Sequence, residues 1–529
     1  MQQSSLDRRL QLLLFLLPLV AFVFNLGNIP LFDVDEGAFS EATREMFQRH
    51  DFVSTWLNGA PRFDKPILIY WCQAVFVWLF GPNEWAFRMP SAIAAAAWCW
   101  AVGMFAGEQE ARTRGEAESR YTAIFATIVA VTSLGVIFIG RAATADALLN
   151  MLIALSMFDS WRHLESGRRA PLLRSYFWIG LGVLTKGPVA LLIPAATTLI
   201  YCASCGRLRD WARSVFDPLG WLILLVVTAP WYATALSIHG QAFVDGFLLK
   251  HNVERFSGSL EGHSGSIFYY FAVVPLLLMP WLTWLLASLL KIKRDMSDKI
   301  NPARRFLWIW AIFVIAFFSL SGTKLPHYGL YGCTPLFVLI ALHRDAVRNV
   351  KAGALPAIVI LSLALTLPSL LGDAISKGWV KDSFYVLQLS RITTVNLTGY
   401  HGITFVTLVA AGASILILNN NAWRRVSFVA CMVLLCITTA VAPLMGELLQ
   451  GPTKRAGIAA RAYKQPMVLW NFNAPSFSVY RQDVTPSEQA QPGQIALTRA
   501  DRLPADAKVD ILQHEGGVLL VRMKAATAP

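Results

Sequence analysis

Charge is what this 529-residue sequence has least of: Asp, Glu, Lys and Arg make up 15% of it, against 55% hydrophobic residues and a mean hydropathy of +0.49. One soluble core cannot bury that much apolar surface, which excludes an ordinary globular domain and leaves a polytopic membrane protein. Acidic residues are scarcer than basic ones, 33 against 46, for a net charge of +13. The Lys and Arg are spread over short turns between apolar runs rather than gathered on one domain, which argues against a nucleic-acid surface. The 7 cysteines are an odd number. Cys72, Cys99, Cys333, Cys431 and Cys436 sit in apolar context, as buried small hydrophobes rather than a disulfide frame. Cys202 and Cys205 form a CxxC without the nearby Cys or His partners that a zinc site needs. No small-residue cleavage pattern follows the first apolar run, 10–27, so it reads as a retained signal anchor after Arg8 and Arg9. The internal repeat of many transporters is also missing.

What is present is a succession of apolar segments near the length a bilayer requires, about 20 residues each. Thirteen can be placed, from 10–27 to 426–445. The turns rich in Arg and Lys then fall on one side, which the positive-inside rule makes cytoplasmic. The opposite face collects the unusual sequence: a first loop at 28–87, the stretch 140–146, the turn at 185–187, the loop 237–266, and the tail 446–529. That tail loses the long apolar runs and shows short strand-like stretches between turns, reading as a small soluble domain outside the membrane. The expected fold is therefore an all-α polytopic membrane protein, residues 1–445, with a small α/β domain at 446–529.

The first loop opens with "LFDVDEGAFSEATREMF", where Asp33, Asp35 and Glu36 stand at the lip of a span. Behind them Phe39, Ala42, Met46 and Phe47 recur at helical spacing, with Glu41, Arg44, Glu45, Gln48 and Arg49 on the other side, the pattern of an amphipathic interfacial helix. Asp33 and Glu36 have the spacing of a capping box. Asp35 is left over, available to contact a polar substrate. Further along, Asp64 and Lys65 precede Pro66, where Lys65 either snorkels to headgroups or faces a site. Arg141 and Asp146 flank the start of the fourth span and either pair with each other or serve a site. Lys186 lies in a turn between two apolar runs, where a merely structural charge would be costly. Lys250, His251, Glu254 and Arg255 come from the large outer loop, and Lys324, His327, Tyr328 and Tyr331 from the mouth of another span. Lys65, Lys186, Arg255 and Lys324 around one or two carboxylates suit a phosphate, and one that must arrive from the bilayer belongs to a lipid. The carboxylates suit a sugar, whose anomeric carbon gains positive charge during reaction.

The stretches "DVDEGAFSEATREM", "FDKPILIYW", "LTKGP", "NVERF" and "SGTKLPHY", in this order, resemble the bacterial polyprenyl-phosphate-dependent glycosyltransferases of the protein-mannosyltransferase-like superfamily. The resemblance is greatest to the aminoarabinose transferases that modify lipid A, and covers about residues 8 to 345. It implies a GT-C fold with thirteen spans, interfacial helices in the first outer loop and a periplasmic C-terminal domain in the bacterial inner membrane. It implies a sugar donor on undecaprenyl phosphate and an outer-leaflet acceptor such as lipid A. Asp35 and Asp146 match the family's acids, with Glu36 beside them. Lys65, Arg255 and Tyr328 match holders of the carrier phosphate, and Lys186 and Lys324 add cations. Relatives commonly have Glu where this chain has Asp64, and some carry a metal through outer-loop histidines; Asp64 and His251 are the residues here that would hold a divalent metal such as zinc. No other cofactor is expected. The rival readings are a protein- or glycan-modifying enzyme of the same superfamily and a flippase for a lipid-linked sugar.

Overall fold

The structure, a computed structural model, describes residues 16–247, 249, 265–417 and 421–524. Helices dominate it, and their ends follow local chemistry. The long helix Glu84–Arg114 starts where the Asn83 side chain accepts from Ala86 N at 3.0 Å and stops at Gly115, whose φ of 86° a side chain would resist. Pro218–His239 begins behind the Asp217 side chain, with proline in its first turn where no amide hydrogen is needed. Among the described residues six helices are long and apolar enough to cross a membrane, or seven if Glu116–Thr132 and Leu134–Gly140, bent by 67°, form one broken span. The other segments expected to span fall on helices that are shorter or less apolar, among them Asp146–Ser166, Arg169–Lys186, Val189–Ser204 and Cys333–Leu342.

Buried tryptophans fill the helical core, and most find a partner for the indole N–H, as large amphipathic rings must. Trp98 donates to Thr334, Trp281 to Thr132 and Trp308 to Asp295. The Arg-rich ends are laced by acids: Glu108 takes Arg162, Asp159 takes Arg174, and Asp217 takes Arg169. All seven cysteines are unpaired thiols.

Helix Ala422–Cys436 continues through a π-helical turn, Ile437–Val441, into Ala442–Ala460. The domain boundary expected at 446 thus falls inside a helix that runs on beyond the apolar core. The C-terminal domain has a four-stranded sheet. Met467–Leu469 pairs parallel with Ile495–Arg499, which pairs antiparallel with Val518–Met523; Val509–Glu515 forms the far edge. Arg391 and Arg455 bridge Glu447 on the long helix to Glu515 on the sheet.

The first outer loop departs most from expectation. Asp35–Arg49 is a helix, but most of its polar side does not face water: Glu41, Arg44 and Glu45 are buried with Ala42 and Met46, and exposure returns at Gln48 and Arg49. The C-terminal helix Pro475–Arg481 and the hairpin Trp56–Leu57/Ala60–Pro61 cover it. The hairpin turns on Asn58 and Gly59, both at positive φ, the Asn-Gly signature of a tight turn. Gly59 N donates to Glu45 and Ser478 to Asn58, so the hairpin tip is wedged between the two helices.

Candidate active site

Asp35 heads its helix, and its side chain opens into a cavity of ≈ 470 Å³ that Asp146 and His327 also line. Burial by the surrounding protein raises the pKa of Asp35 although the cavity reaches it, and the charge of Asp146 adds to the rise; Lys186 and Lys65 pull against it, with Asp64 near enough to contribute. Those five groups, from four separate stretches of chain, therefore meet at one place. Asp146, at the start of its helix, accepts from Lys186 Nζ at 2.5 Å, with Tyr331 Oη at 3.5 Å and His327 Nε2 at 3.7 Å. Lys186 ends its helix on Gly187 and stands 5.4 Å and 5.8 Å from the ring centres of Tyr328 and Tyr331, a cation held over π faces as well as by a carboxylate. Asp146 thus pairs with Lys186 rather than with Arg141, whose Nη1 goes to the carbonyls of Ala21 and Phe22.

Glu36 does not share the role of its neighbour. Its carboxylate is gripped bidentately by buried Arg88, at 2.8 and 2.7 Å, and accepts from the backbone of Phe32 and Ala143. Arg88 also donates to the carbonyls of Leu26, Ile29 and Pro30. This pair is a structural hub tying the first span, the acidic turn and the Asp146 segment together, and it removes Glu36 from the catalytic candidates. The capping box is not formed either: the helix has no side-chain cap, and Asp33 instead accepts from Ser476 N and Oγ at 2.9 and 2.6 Å.

Among the expected phosphate holders, Lys65 lies beside Asp64, its Nζ 2.5 Å from Oδ1, and Arg62 takes the other oxygen at 3.0 Å. Arg62, three residues before Lys65, went unnoticed in the sequence. Tyr328 packs on Phe318 and Tyr331. Lys324 is buried and turned away, donating to the carbonyls of Ser319 and Ser321 at the end of helix Pro302–Leu320; it caps that helix rather than facing a phosphate. Arg255 and His251 lie outside the described residues. The carboxylate of Asp64 is engaged by its two cations, and among the described residues no three His, Cys, Asp or Glu are grouped to hold a metal. An apolar groove of ≈ 630 Å³ runs between 267–292 and helix Pro302–Leu320. Tyr270 on its wall lies edge-on to Phe318, with ring centres 6.5 Å apart, and Phe318 is tilted against Tyr328 at 5.0 Å, so a chain of aromatic rings links this wall to the Lys186 cluster.

The family description "Dolichyl-phosphate-mannose-protein mannosyltransferase" matches residues 64–233. The chain is 27% identical over 380 residues to the undecaprenyl phosphate-alpha-4-amino-4-deoxy-L-arabinose arabinosyl transferase of Yersinia pestis, covering 70% of this chain and 66% of that protein. It is 26% identical over 425 residues to the enzyme of the same name from Serratia proteamaculans, covering 79% and 73%. The match thus spans just under two thirds of the Yersinia protein's length. Among solved structures, ArnT from Cupriavidus metallidurans bound to undecaprenyl phosphate superimposes with a TM-score of 0.78 at 20% identity, covering 98% of both chains. Its apo form gives 0.76 at 21% identity over 97% of each. The fold is thus that of the ArnT crystal structures, and in sequence the chain is similar to the undecaprenyl phosphate-alpha-4-amino-4-deoxy-L-arabinose arabinosyl transferases.

Proposed function

We propose that this protein moves a sugar, 4-amino-4-deoxy-L-arabinose, from undecaprenyl phosphate to a phosphate of lipid A in the outer leaflet of the bacterial inner membrane. The observation that carries the reading is the convergence of Asp35 with Lys65, Lys186 and Asp146 beside a cavity, linked through aromatic rings to an apolar groove fit for a lipid tail. The relatives' names supply the sugar and its carrier.

In this scheme the acceptor oxygen attacks the anomeric carbon as the bond to the carrier phosphate breaks. The departing phosphate keeps the bonding pair and gains a charge, so it needs cations more than a general acid. Lys65, with Tyr328 and, by its sequence motif, Arg255, meets that charge; one preorganised donor of this kind is worth about 3 kcal/mol. Lys186, already committed to Asp146, fixes that carboxylate against the sugar. Asp35 faces the sugar and orients its hydroxyls or amino group; with an ionised phosphate as acceptor, no strong base is required.

The test is transfer by purified protein from a lipid-linked donor. Asp35→Asn and Lys65→Ala are each expected to abolish transfer while the protein stays folded, and wild-type turnover in either would reject the assignment. Mass spectrometry of lipid A from cells with and without the gene decides the acceptor.

A further inference from the structure

The cavity beside Asp35 contains two polar groups that the scheme above leaves unused. Arg141 closes the short helix Leu134–Gly140, and its Nη1 ties down the first span through Ala21 and Phe22. Its Nη2 is buried without a hydrogen-bond partner among the described residues, and so is the hydroxyl of Thr144, three residues on. Both residues line the cavity. An unmet buried donor costs free energy comparable to a lost hydrogen bond, so two on one wall point to a ligand. Of the carboxylates lining the cavity, Glu36 is engaged by Arg88, Asp146 by Lys186 and Asp33 by Ser476, and Asp35 is the one the scheme above gives to the sugar. Arg141 therefore brings a positive charge that no neighbouring acid takes up.

Much of the remaining lining is apolar. Ile137 and Phe138 come from the short helix, and Ile437, Val441 and Met445 from the π-helical turn and the helix after it. Phe138 is 60% exposed on the outer surface, so this wall stands between the cavity and the bilayer. π-helical turns recur at functional sites, and this one shapes the cavity's lipid-side border.

We infer that this cavity takes the acceptor, and that Arg141 Nη2 and Thr144 Oγ1 grip a phosphate monoester carried on a lipid whose chains leave past Phe138 and Met445. The inference rests on the proposed glycosyl transfer and defines its acceptor by chemistry. An ionised phosphate oxygen forms the new bond to the anomeric carbon, the carrier phosphate leaves with the old bonding pair, and no proton has to move. A neutral hydroxyl acceptor would leave the buried guanidinium unmatched, so Arg141 selects for the anion.

Binding and turnover separate this inference from the activity it builds on. The full-length protein in detergent is titrated with lipid A bearing its phosphates and with the same lipid dephosphorylated. Wild type is expected to prefer the phosphorylated form by about tenfold or more, the size of a charge-assisted hydrogen bond, and Arg141→Gln to erase the preference. Undecaprenyl phosphate binding should be unchanged in that variant. Because Arg141 also anchors the first span, Thr144→Val is measured alongside; it keeps the residue's volume and the backbone bond from Ser91, and should lower the preference severalfold. Equal binding of the two lipids by wild type, or an undiminished preference in Thr144→Val and any folded Arg141→Gln, overturns the site. Phosphate-selective binding without sugar transfer would instead overturn the proposed activity and leave the site standing.

Discussion

Asp33 and Ser476, 443 positions apart, are joined by two hydrogen bonds, from the amide at 2.9 Å and the hydroxyl at 2.6 Å. The link fastens the C-terminal domain to the turn that carries Asp35, two residues away. Gly37 makes room for it: a Cβ there would collide with Asp33 Oδ1 and come within 2.6 Å of Ser476 N.

Changes at this junction should therefore reach the reaction. Gly37→Ala is expected to lower kcat by about tenfold or more, because it displaces the turn that carries Asp35. Ser476→Ala should have a smaller effect, the loss of one hydrogen bond at roughly 1 kcal/mol, and Ser476→Thr should restore it. Steady-state kinetics on the three variants checks the order.

Two adjacent carboxylates should behave in opposite ways. Glu36 is one half of a buried pair, and removing one partner of such a pair costs about 3–5 kcal/mol. Glu36→Ala or Arg88→Ala should accumulate poorly or melt far below wild type. Asp35→Asn should melt like wild type and fail only in turnover. Thermal melts beside transfer assays distinguish the two.

Asp146 and Lys186 should act as a unit. With the ion pair intact each neutralises the other, so Asp146→Asn and Lys186→Met each strand a buried charge or lose its partner. The double variant should be less impaired in stability than the sum of the singles, by about 1–3 kcal/mol of coupling. A double-variant cycle on thermal unfolding measures this, and strict additivity would contradict the observed pair.

Asp33 gives a pH dependence with a defined sign. Burial raises its carboxyl from 3.8 to about 7, with the Ser476 bonds opposing and the charge of Glu36 assisting. The native state then holds this proton where the unfolded state releases it, so the contribution is complete below the ordinary carboxylate range and is lost as pH rises toward 7. Melting temperatures between about pH 4 and pH 7 should fall more steeply for wild type than for Asp33→Asn, which carries no titrating group there.

The site was legible in the sequence wherever charge stood in apolar surroundings. Asp35, Lys65, Asp146 and Lys186 each broke a hydrophobic pattern, and the structure brings those four together. What stayed hidden depended on partners distant in the chain. Glu36 was set apart from Asp35 only as half of a capping box; its true partner Arg88 lies 52 positions on, inside a long helix. Helix Asp35–Arg49 looked interfacial because helical periodicity separates polar from apolar faces but cannot tell water from a protein roof. Lys324 was read as a ligand because nothing local showed that its ammonium would fold back onto two carbonyls of the preceding helix end. The hairpin at Asn58–Gly59 did have a local signal, the Asn-Gly pair itself.

The helix that leaves the apolar core at Ala442 and ends at Ala460 is clamped to the outer sheet through Glu447 and Glu515. It also continues, through its π-helical turn, into the wall of the cavity. The outer sheet and that wall are consequently parts of one continuous helical run, so a displacement of the sheet has a direct covalent route to the cavity's apolar lining.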